Sequence, residues 1–228
     1  MRRLSLITLI ALFALPLAAA TPARPYHLEL EANPAAPFPF LGKFGTVTLH
    51  VYGGGVRAET FWLNGFTKNG TSAVTVMNPL GRMYTDVPIT NISSVLGKLA
   101  GSGGIERLAS GSLLPPSAGK VRGVDANRYR IVYGPDAWID IWTTKTIPDN
   151  PQLHAIVEQF VRGISPGTAN VAKNIPGTPV YVELNFRRFK KLPILKLKSL
   201  AFDNAGEDDA LKVGPVYMRA PLLDSIWK

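Results

Sequence analysis

The sequence contains no cysteine among its 228 residues. It therefore forms no disulfide, holds no thiolate metal site and uses no thiol nucleophile, so its stability must come from an apolar core. Histidine is scarce as well. His27, His50 and His154 are far apart along the chain and show no spacing typical of metal ligands or of a His–carboxylate pair. No metal site is expected.

The N-terminal apolar run is too short for a comfortable membrane span. Two arginines precede apolar residues 4–17, and residues 18–20 are alanines. A positive start, an apolar run and small residues in this order are typical of a cleavable secretory signal peptide, with an uncleaved anchor or a buried helix as the alternative. We predict a signal peptide at residues 1–20 and one domain at residues 21–228.

The charge of the chain is strongly positive: the net charge is +9, or +7 once the signal peptide is removed. Because no lipid-modified cysteine can follow the signal peptide, we expect a periplasmic or extracellular protein without a lipid anchor. A basic surface there favours contact with an anionic membrane surface, whereas export argues against binding of nucleic acid. The alternative is that the positive charge serves only to keep the protein soluble. The densest positive segment is interpreted as a solvated turn or as a membrane or partner contact, and comprises Arg187, Arg188, Phe189, Lys190 and Lys191.

Short runs of alternating apolar and polar residues, separated by Gly, Pro and Asn, indicate antiparallel strands. The turn signals include glycines 53–55 and the Asn-Gly pairs at 64–65 and 69–70. Connections this short exclude parallel crossovers. Strands are predicted at residues 26–31, 46–52, 56–63, 72–77, 82–87, 128–133, 137–144, 179–186 and 192–202, with a further possible strand at 213–218.

Helical spacing is clearest at residues 149–163, where Asn150 can cap a helix with an apolar stripe. Shorter helices are predicted at residues 90–99 and 166–174. The Gly-, Ser- and Pro-rich residues 101–120 are interpreted as a flexible loop, and residues 203–228 as a C-terminal extension. The predicted fold is mainly β (α+β): a curved antiparallel half-barrel sheet of about 8–11 strands, capped by two or three helices.

Catalytic patterns are weak. Residues 163–167 match the G-x-S-x-G pattern of serine hydrolases, but that motif needs a strand-to-helix elbow, and here a helix precedes Ser165. Ser165 followed by Pro166 is better explained as the start of a new helix. Asp136 and Asp140 could form a carboxylate pair, although a turn residue and a strand residue are the simpler interpretation. Neither a P-loop nor a dinucleotide fingerprint occurs.

Three segments are similar to the LolA/LolB/LppX-like superfamily of exported lipoprotein and lipid carriers, and most closely to its members of unknown function. These are the strand pair at residues 123–131 (GVDANRYRI) and 137–144 (AWIDIWTT), and residues 175–180 (IPGTPV), which follow the opening strands at 26–63. The resemblance implies a helix-capped half-barrel with a hydrophobic cavity for acyl chains, no enzyme activity and no cofactor. The lipobox cysteine of the anchored members is missing here.

We therefore expect an exported monomeric protein that binds a hydrophobic ligand, namely a lipid, an acyl chain or a lipoprotein, in its half-barrel cavity. The alternative is a structural or interaction protein of the envelope, whose barrel is filled by its own side chains. An exported hydrolase that uses Ser165 is the third hypothesis. The predicted cavity residues are Leu28, Leu30, Val47, Leu49, Val51, Phe61, Leu63, Tyr129, Ile131, Val182 and Leu184.

Overall fold

A computed structural model describes residues 25–33, 46–60, 63–92, 111–164, 166–187, 191–203 and 205–221. Several predictions from the sequence lie outside these residues. They concern the signal peptide at residues 1–20, most of the helix predicted at 90–99, and the side chains of Phe61, Ser165, Arg188, Phe189 and Lys190.

The described residues form one large, open and mainly antiparallel sheet of thirteen strands. The strands are β1 (His27–Ala32), β2 (Val47–Tyr52), β3 (Gly55–Glu59), β4 (Asn64–Lys68), β5 (Ala73–Asn78), β6 (Met83–Pro88), β7 (Ser112–Leu113), β8 (Ser117–Val121), β9 (Val124–Val132), β10 (Ala137–Thr144), β11 (Thr178–Phe186), β12 (Leu192–Ala201) and β13 (Met218–Arg219). Their order is β13-β6-β5-β4-β3-β2-β1-β12-β11-β10-β9-β7, and β8 pairs with β9. The mainly-β prediction is confirmed, with more strands than the 8–11 expected.

The first six strands form an antiparallel meander where five strands were predicted, because β4 was not predicted and one turn was misplaced. The pair Asn64-Gly65, predicted as a turn, opens strand β4, which pairs with β3 and β5. The chain instead reverses between Thr60 and Leu63, where the Thr60 N–H donates to the Leu63 carbonyl at 2.9 Å. Hydrogen bonding to strands on both sides outweighs the local turn preference of Asn-Gly.

The loop predicted at residues 101–120 is also corrected, because β7 and β8 lie partly within it. Strand β8 forms a hairpin with β9 through a two-residue turn. Both turn residues, Arg122 (φ 51°) and Gly123 (φ 83°), lie in the left-handed region, as a type I′ turn requires. Arg-Gly is a weaker hairpin signal than Asn-Gly, which is why the hairpin was missed. The strand expected at residues 213–218 is reduced to Met218–Arg219, which pairs parallel to β6.

Three α-helices occur in the described residues: α1 (Pro151–Ile164), α2 (Pro166–Ala172) and α3 (Glu207–Ala210), with a 3-10 turn at Ile89–Asn91. Helices α1 and α2 confirm the two predicted after strand β10. In this part of the chain, no helix combines the length and apolar character needed to cross a bilayer.

The sheet face that packs against α1 and α2 is called the inner face, and the opposite one the outer face. The inner face carries the main core, in which the side chains of β1, β2 and β9–β12 contact Leu153 of α1 and Ala169 of α2. On the outer face, residues 205–220 cover the meander. Leu211 packs there with Tyr52 and other apolar side chains, and Glu207 Oε1 accepts the Gly54 N–H at 2.6 Å.

Asn150 fixes helix α1 to the sheet, as both a cap and a tether. Its Oδ1 accepts the N–H groups of Gln152 (3.1 Å) and Leu153 (2.9 Å), which confirms the predicted cap. Its Nδ2 donates to the Tyr52 carbonyl at the end of β2, at 2.9 Å. The side chain is fully buried, so no water can replace these bonds.

Replacing Asn150 by alanine should lower the free energy of unfolding by about 2–3 kcal/mol, because the cap is lost and a buried carbonyl is left without a donor. Asn150→Ser retains a capping oxygen and should lose roughly half as much. Urea denaturation followed by circular dichroism measures both values. Equal losses for the two variants would show that the cap contributes nothing.

Candidate functional site

The predicted cavity residues are brought together on the inner face, but as a packed core. Eight of them are buried in one apolar cluster, and Val47 packs against it. Leu63 is half-buried and is not a member of that cluster. The eight are Leu28, Leu30, Leu49, Val51, Tyr129, Ile131, Val182 and Leu184.

Helices α1 and α2 fill the space above this apolar surface. Between these helices and strands β10 and β11 there is a void of about 20 Å³, lined in part by Ile141, Val157 and Ile175. A void of that size is comparable to the space one water molecule needs. In the described part of the chain, the helices therefore lie directly on the apolar face of the sheet.

Two polar atoms in this region are buried without a hydrogen-bond partner: Tyr133 Oη at the end of β9 and Gln159 Oε1 on α1. Burial raises the pKa of Tyr133 to about 12, although the nearby Thr168 side chain of α2 opposes the shift. Within the described part of the chain, no group lies in hydrogen-bonding geometry with the Tyr133 hydroxyl. Buried polar atoms without partners are costly and uncommon.

A larger depression, the outer cleft, lies on the opposite face of strands β9–β11 and has a volume of about 360 Å³. Its floor is built from cross-strand pairs: Trp138 opposite Asn185, and Asp140 opposite Glu183. The cleft is lined by Lys120, Val121, Arg128, Arg130, Trp138, Asp140, Trp142, Tyr181, Glu183, Asn185 and Lys191.

An ion pair organises the floor of the outer cleft. Arg130 donates from Nε and Nη2 to the two carboxylate oxygens of Asp140, at 2.7 and 2.8 Å. Asp140 is buried and also accepts a hydrogen bond from Trp138 Nε1 at 3.3 Å. The guanidinium groups of Arg130 and Arg128 lie over the rings of Trp138 and Trp142, at 5.1 and 5.6 Å. The bidentate pair and the stacked rings hold one another in place.

The β8–β9 hairpin folds over this face and forms one wall of the cleft. A methyl group added at Gly119 of β8 would lie 2.7 Å from Cζ3 of Trp142, so only glycine permits this approach. At the tip of the hairpin, Arg122 Nη1 donates to the Lys198 carbonyl of β12 at 2.8 Å. The hairpin therefore crosses β10 and β11 to reach β12.

Strand β11 adds further polar side chains to the floor. The Tyr181 hydroxyl donates to Glu183 Oε2 at 2.8 Å. Burial, together with this bond to a carboxylate, raises the pKa of Tyr181 to about 12. Glu183 and Asn185 are buried side chains that nonetheless line an open cleft.

Sequence reasoning did not find the outer cleft, although a signal was present. Arg128 and Arg130 alternate with Tyr129 and Ile131, and the W-x-D-x-W run at residues 138–142 alternates with isoleucines. A period of two therefore assigns the charged and indole side chains to one face.

The other candidates from the sequence do not converge on a common site. Asp136 pairs with Arg187 (3.8 Å) while Asp140 pairs with Arg130, so the two carboxylates serve different partners. Lys191 lines the outer cleft. The contact of the basic segment 187–191 with a membrane stays a prediction.

The three histidines lie in two separate parts of the fold. His27 Nε2 lies 3.1 Å from His50 Nδ1, whereas His154 contacts Asp149 at 3.2 Å in another part of the fold. Burial, and then the proximity of His50, lowers the pKa of His27. The described residues contain no group of three or more side chains arranged to hold a metal ion.

Arg130→Met should lower the free energy of unfolding by about 2–4 kcal/mol, because the buried Asp140 carboxylate loses its cation. The double variant with Asp140→Leu should lose less than Arg130→Met alone, since no unpaired charge remains buried. Chemical denaturation of the wild type, the two single variants Arg130→Met and Asp140→Leu, and the double variant measures the coupling. Simple additivity of the two single effects would contradict this interpretation.

The raised pKa of Tyr181 predicts weaker folding in alkali. Between pH 10 and 12 the unfolded phenol ionises while the folded one stays neutral, so stability present below pH 10 is lost as the pH rises towards 12. Tyr181→Phe should show a shallower decline of the free energy of unfolding over this range, measured by urea titrations at several pH values. Tyr133 contributes equally to both proteins, so parallel declines would argue against the shift at Tyr181.

No family model matches the sequence, and no curated protein matches it. Among solved structures, the chain is similar to an uncharacterised conserved protein from Thermus thermophilus, at 10% sequence identity and a TM-score of 0.46. That comparison covers 87% of this chain and 90% of the other. A likeness this weak carries no argument about what the present protein does.

Proposed function

We propose that the protein is an exported carrier or receptor for an amphiphilic ligand, whose acyl chain enters a half-barrel between the inner face of the sheet and helices α1 and α2. In this proposal the two helices act as a lid, and the structure corresponds to the closed form without ligand. No catalytic step is assigned to the protein.

The observation that carries the proposal is two buried polar atoms without partners: Tyr133 Oη, just after β9, and Gln159 Oε1, on helix α1 itself. A core that served packing alone would gain stability from apolar side chains at these positions. A ligand with a polar group next to an acyl chain would supply the missing hydrogen bonds and, at the same time, occupy the apolar surface.

The hydrogen bonds of the helix pair also favour a lid. Asn150 tethers the start of α1 to Tyr52, and Gln152 donates to the Thr71 carbonyl at 3.1 Å. Behind α2, Thr143 Oγ1 donates to the Pro176 carbonyl at 2.7 Å. These bonds join the base of the helix pair to the sheet. Gln159 lies two turns further along α1, and in this proposal that end of the helix moves while its base stays fixed.

One observation favours the second hypothesis, an envelope interaction protein with a self-filled barrel: the predicted cavity side chains already pack against one another and against α1 and α2. Native mass spectrometry of protein purified from its own host separates the two. A co-purifying lipid or acylated molecule supports the carrier, whereas ligand-free protein that takes up no fatty acid or phospholipid from micelles supports the self-filled barrel.

Gln159→Met should stabilise the ligand-free protein by about 1–2 kcal/mol, because it removes a buried acceptor without a partner. The same change should weaken binding of a fluorescent fatty acid several-fold. Thermal unfolding and a fluorescence titration measure the two effects.

Gln152→Met is the matched control on the same helix, since the amide of Gln152 is bonded to Thr67 and to the Thr71 carbonyl. This variant should be destabilised. Loss of stability in both variants would remove the basis of the proposal, because Gln159 would then be paired in solution.

A further inference from the structure

The outer cleft lies on the face of the sheet opposite the proposed lid and plays no part in binding an amphiphile. Its floor contains three polar side chains that are each at least nine-tenths buried: Asp140, Glu183 and Asn185. Both oxygens of Asp140 are bonded to Arg130. Glu183 Oε2 accepts a hydrogen bond from Tyr181, and Asn185 Nδ2 donates to the Glu183 carbonyl at 3.4 Å. Among the described residues, no hydrogen bond joins Glu183 Oε1 or Asn185 Oδ1 to another group, and both side chains line the cleft.

These groups are rigid, and their rigidity suits the recognition of hydroxyl groups. Each lies on a strand that is paired with its neighbour, so its backbone loses no further conformational entropy when a ligand binds. A carboxylate oxygen accepts from a hydroxyl, and a carboxamide can both donate and accept. Adjacent hydroxyls on a ring would match this arrangement.

The rim combines an indole with positive charge. Trp138 is half-buried, and Arg130 lies over one face of its indole, so the C–H face of a sugar ring would pack against the other face. Arg128 stacks over Trp142, and Lys191 lies at the same cleft. Because Arg130 pairs with Asp140 and Lys120 with Asp125, Arg128 and Lys191 leave the cleft with an excess of positive charge over Glu183.

We propose that the outer cleft binds an acidic saccharide, a ring that carries hydroxyl groups and a carboxylate. The hydroxyls bond Glu183 and Asn185, the ring packs on Trp138, and the carboxylate faces Arg128 and Lys191. A volume of about 360 Å³ is at the lower end of the range for small-molecule sites, which fits one or two sugar rings. A lipid tail is excluded by the charged floor.

Calorimetric titration of the full mature chain with D-glucuronate and a tetragalacturonate, against D-glucose and maltotetraose, tests this site. We expect the acidic sugars to bind at least ten-fold more tightly than the neutral ones, with an affinity that falls as salt is added. Arg128→Gln and Lys191→Gln should reduce that preference, whereas Trp138→Leu should weaken binding of both kinds of sugar. Lys191 is exposed, so its variant tests the site even if Trp138→Leu does not fold.

Lys68→Gln is the matched control, because it removes one exposed positive charge from the end of β4 on the meander. An equal loss in this variant would show that attraction is non-specific and would overturn the proposal. Absence of binding at millimolar sugar, or tighter binding of a nucleoside monophosphate than of any saccharide, would overturn it too. Fatty-acid binding is measured separately and does not depend on this outcome.

Discussion

Strands β10 and β11 are buried on both faces, and much of the architecture follows from this constraint. Their inner residues, such as Ile139 and Val182, belong to the main core, while Asp140 and Glu183 are buried on the outer face. An open sheet cannot bury its outer face unaided. The β8–β9 hairpin therefore covers part of that face, and residues 205–220 cover part of the meander on the same face.

The strand register keeps two kinds of chemistry apart. Because successive side chains of a strand point to opposite faces, apolar residues lie on the inner face while charged and indole residues line the outer cleft. A slip of one residue would exchange the two sets, and it would bury Asp140 among aliphatic side chains. The bidentate bond from Arg130 to Asp140 thus reinforces the same register that the apolar core selects.

Local sequence signals predicted the elements that are stabilised by residues close together in the sequence. Helix α1 and its Asn150 cap were predicted because the cap, the first-turn proline and the apolar stripe are contiguous in the sequence. The Asn-Gly pair at 64–65 was misread because its conformation is decided by the partners β3 and β5, which lie elsewhere along the chain. The β8–β9 hairpin was missed because the Arg-Gly pair at its turn is a weak local signal. Eight of the predicted cavity residues lie in one buried cluster, but their alternation did not reveal that the helices fill the space above them.

By itself, the sequence determined the mainly-β class, the order of the meander and of the two consecutive helices, and which face of each strand is apolar. These follow from period-two alternation, turn residues and helix caps, all of which act over a few neighbours. Only the tertiary structure decided that most of the predicted cavity residues pack in one core, that Tyr133 Oη and Gln159 Oε1 are buried without partners, and that Arg130, Asp140 and Trp138 meet in an outer cleft. Those features depend on which distant strands pair and on how a hairpin folds across them. Loop closure and strand register determine the pairing and the path of the hairpin.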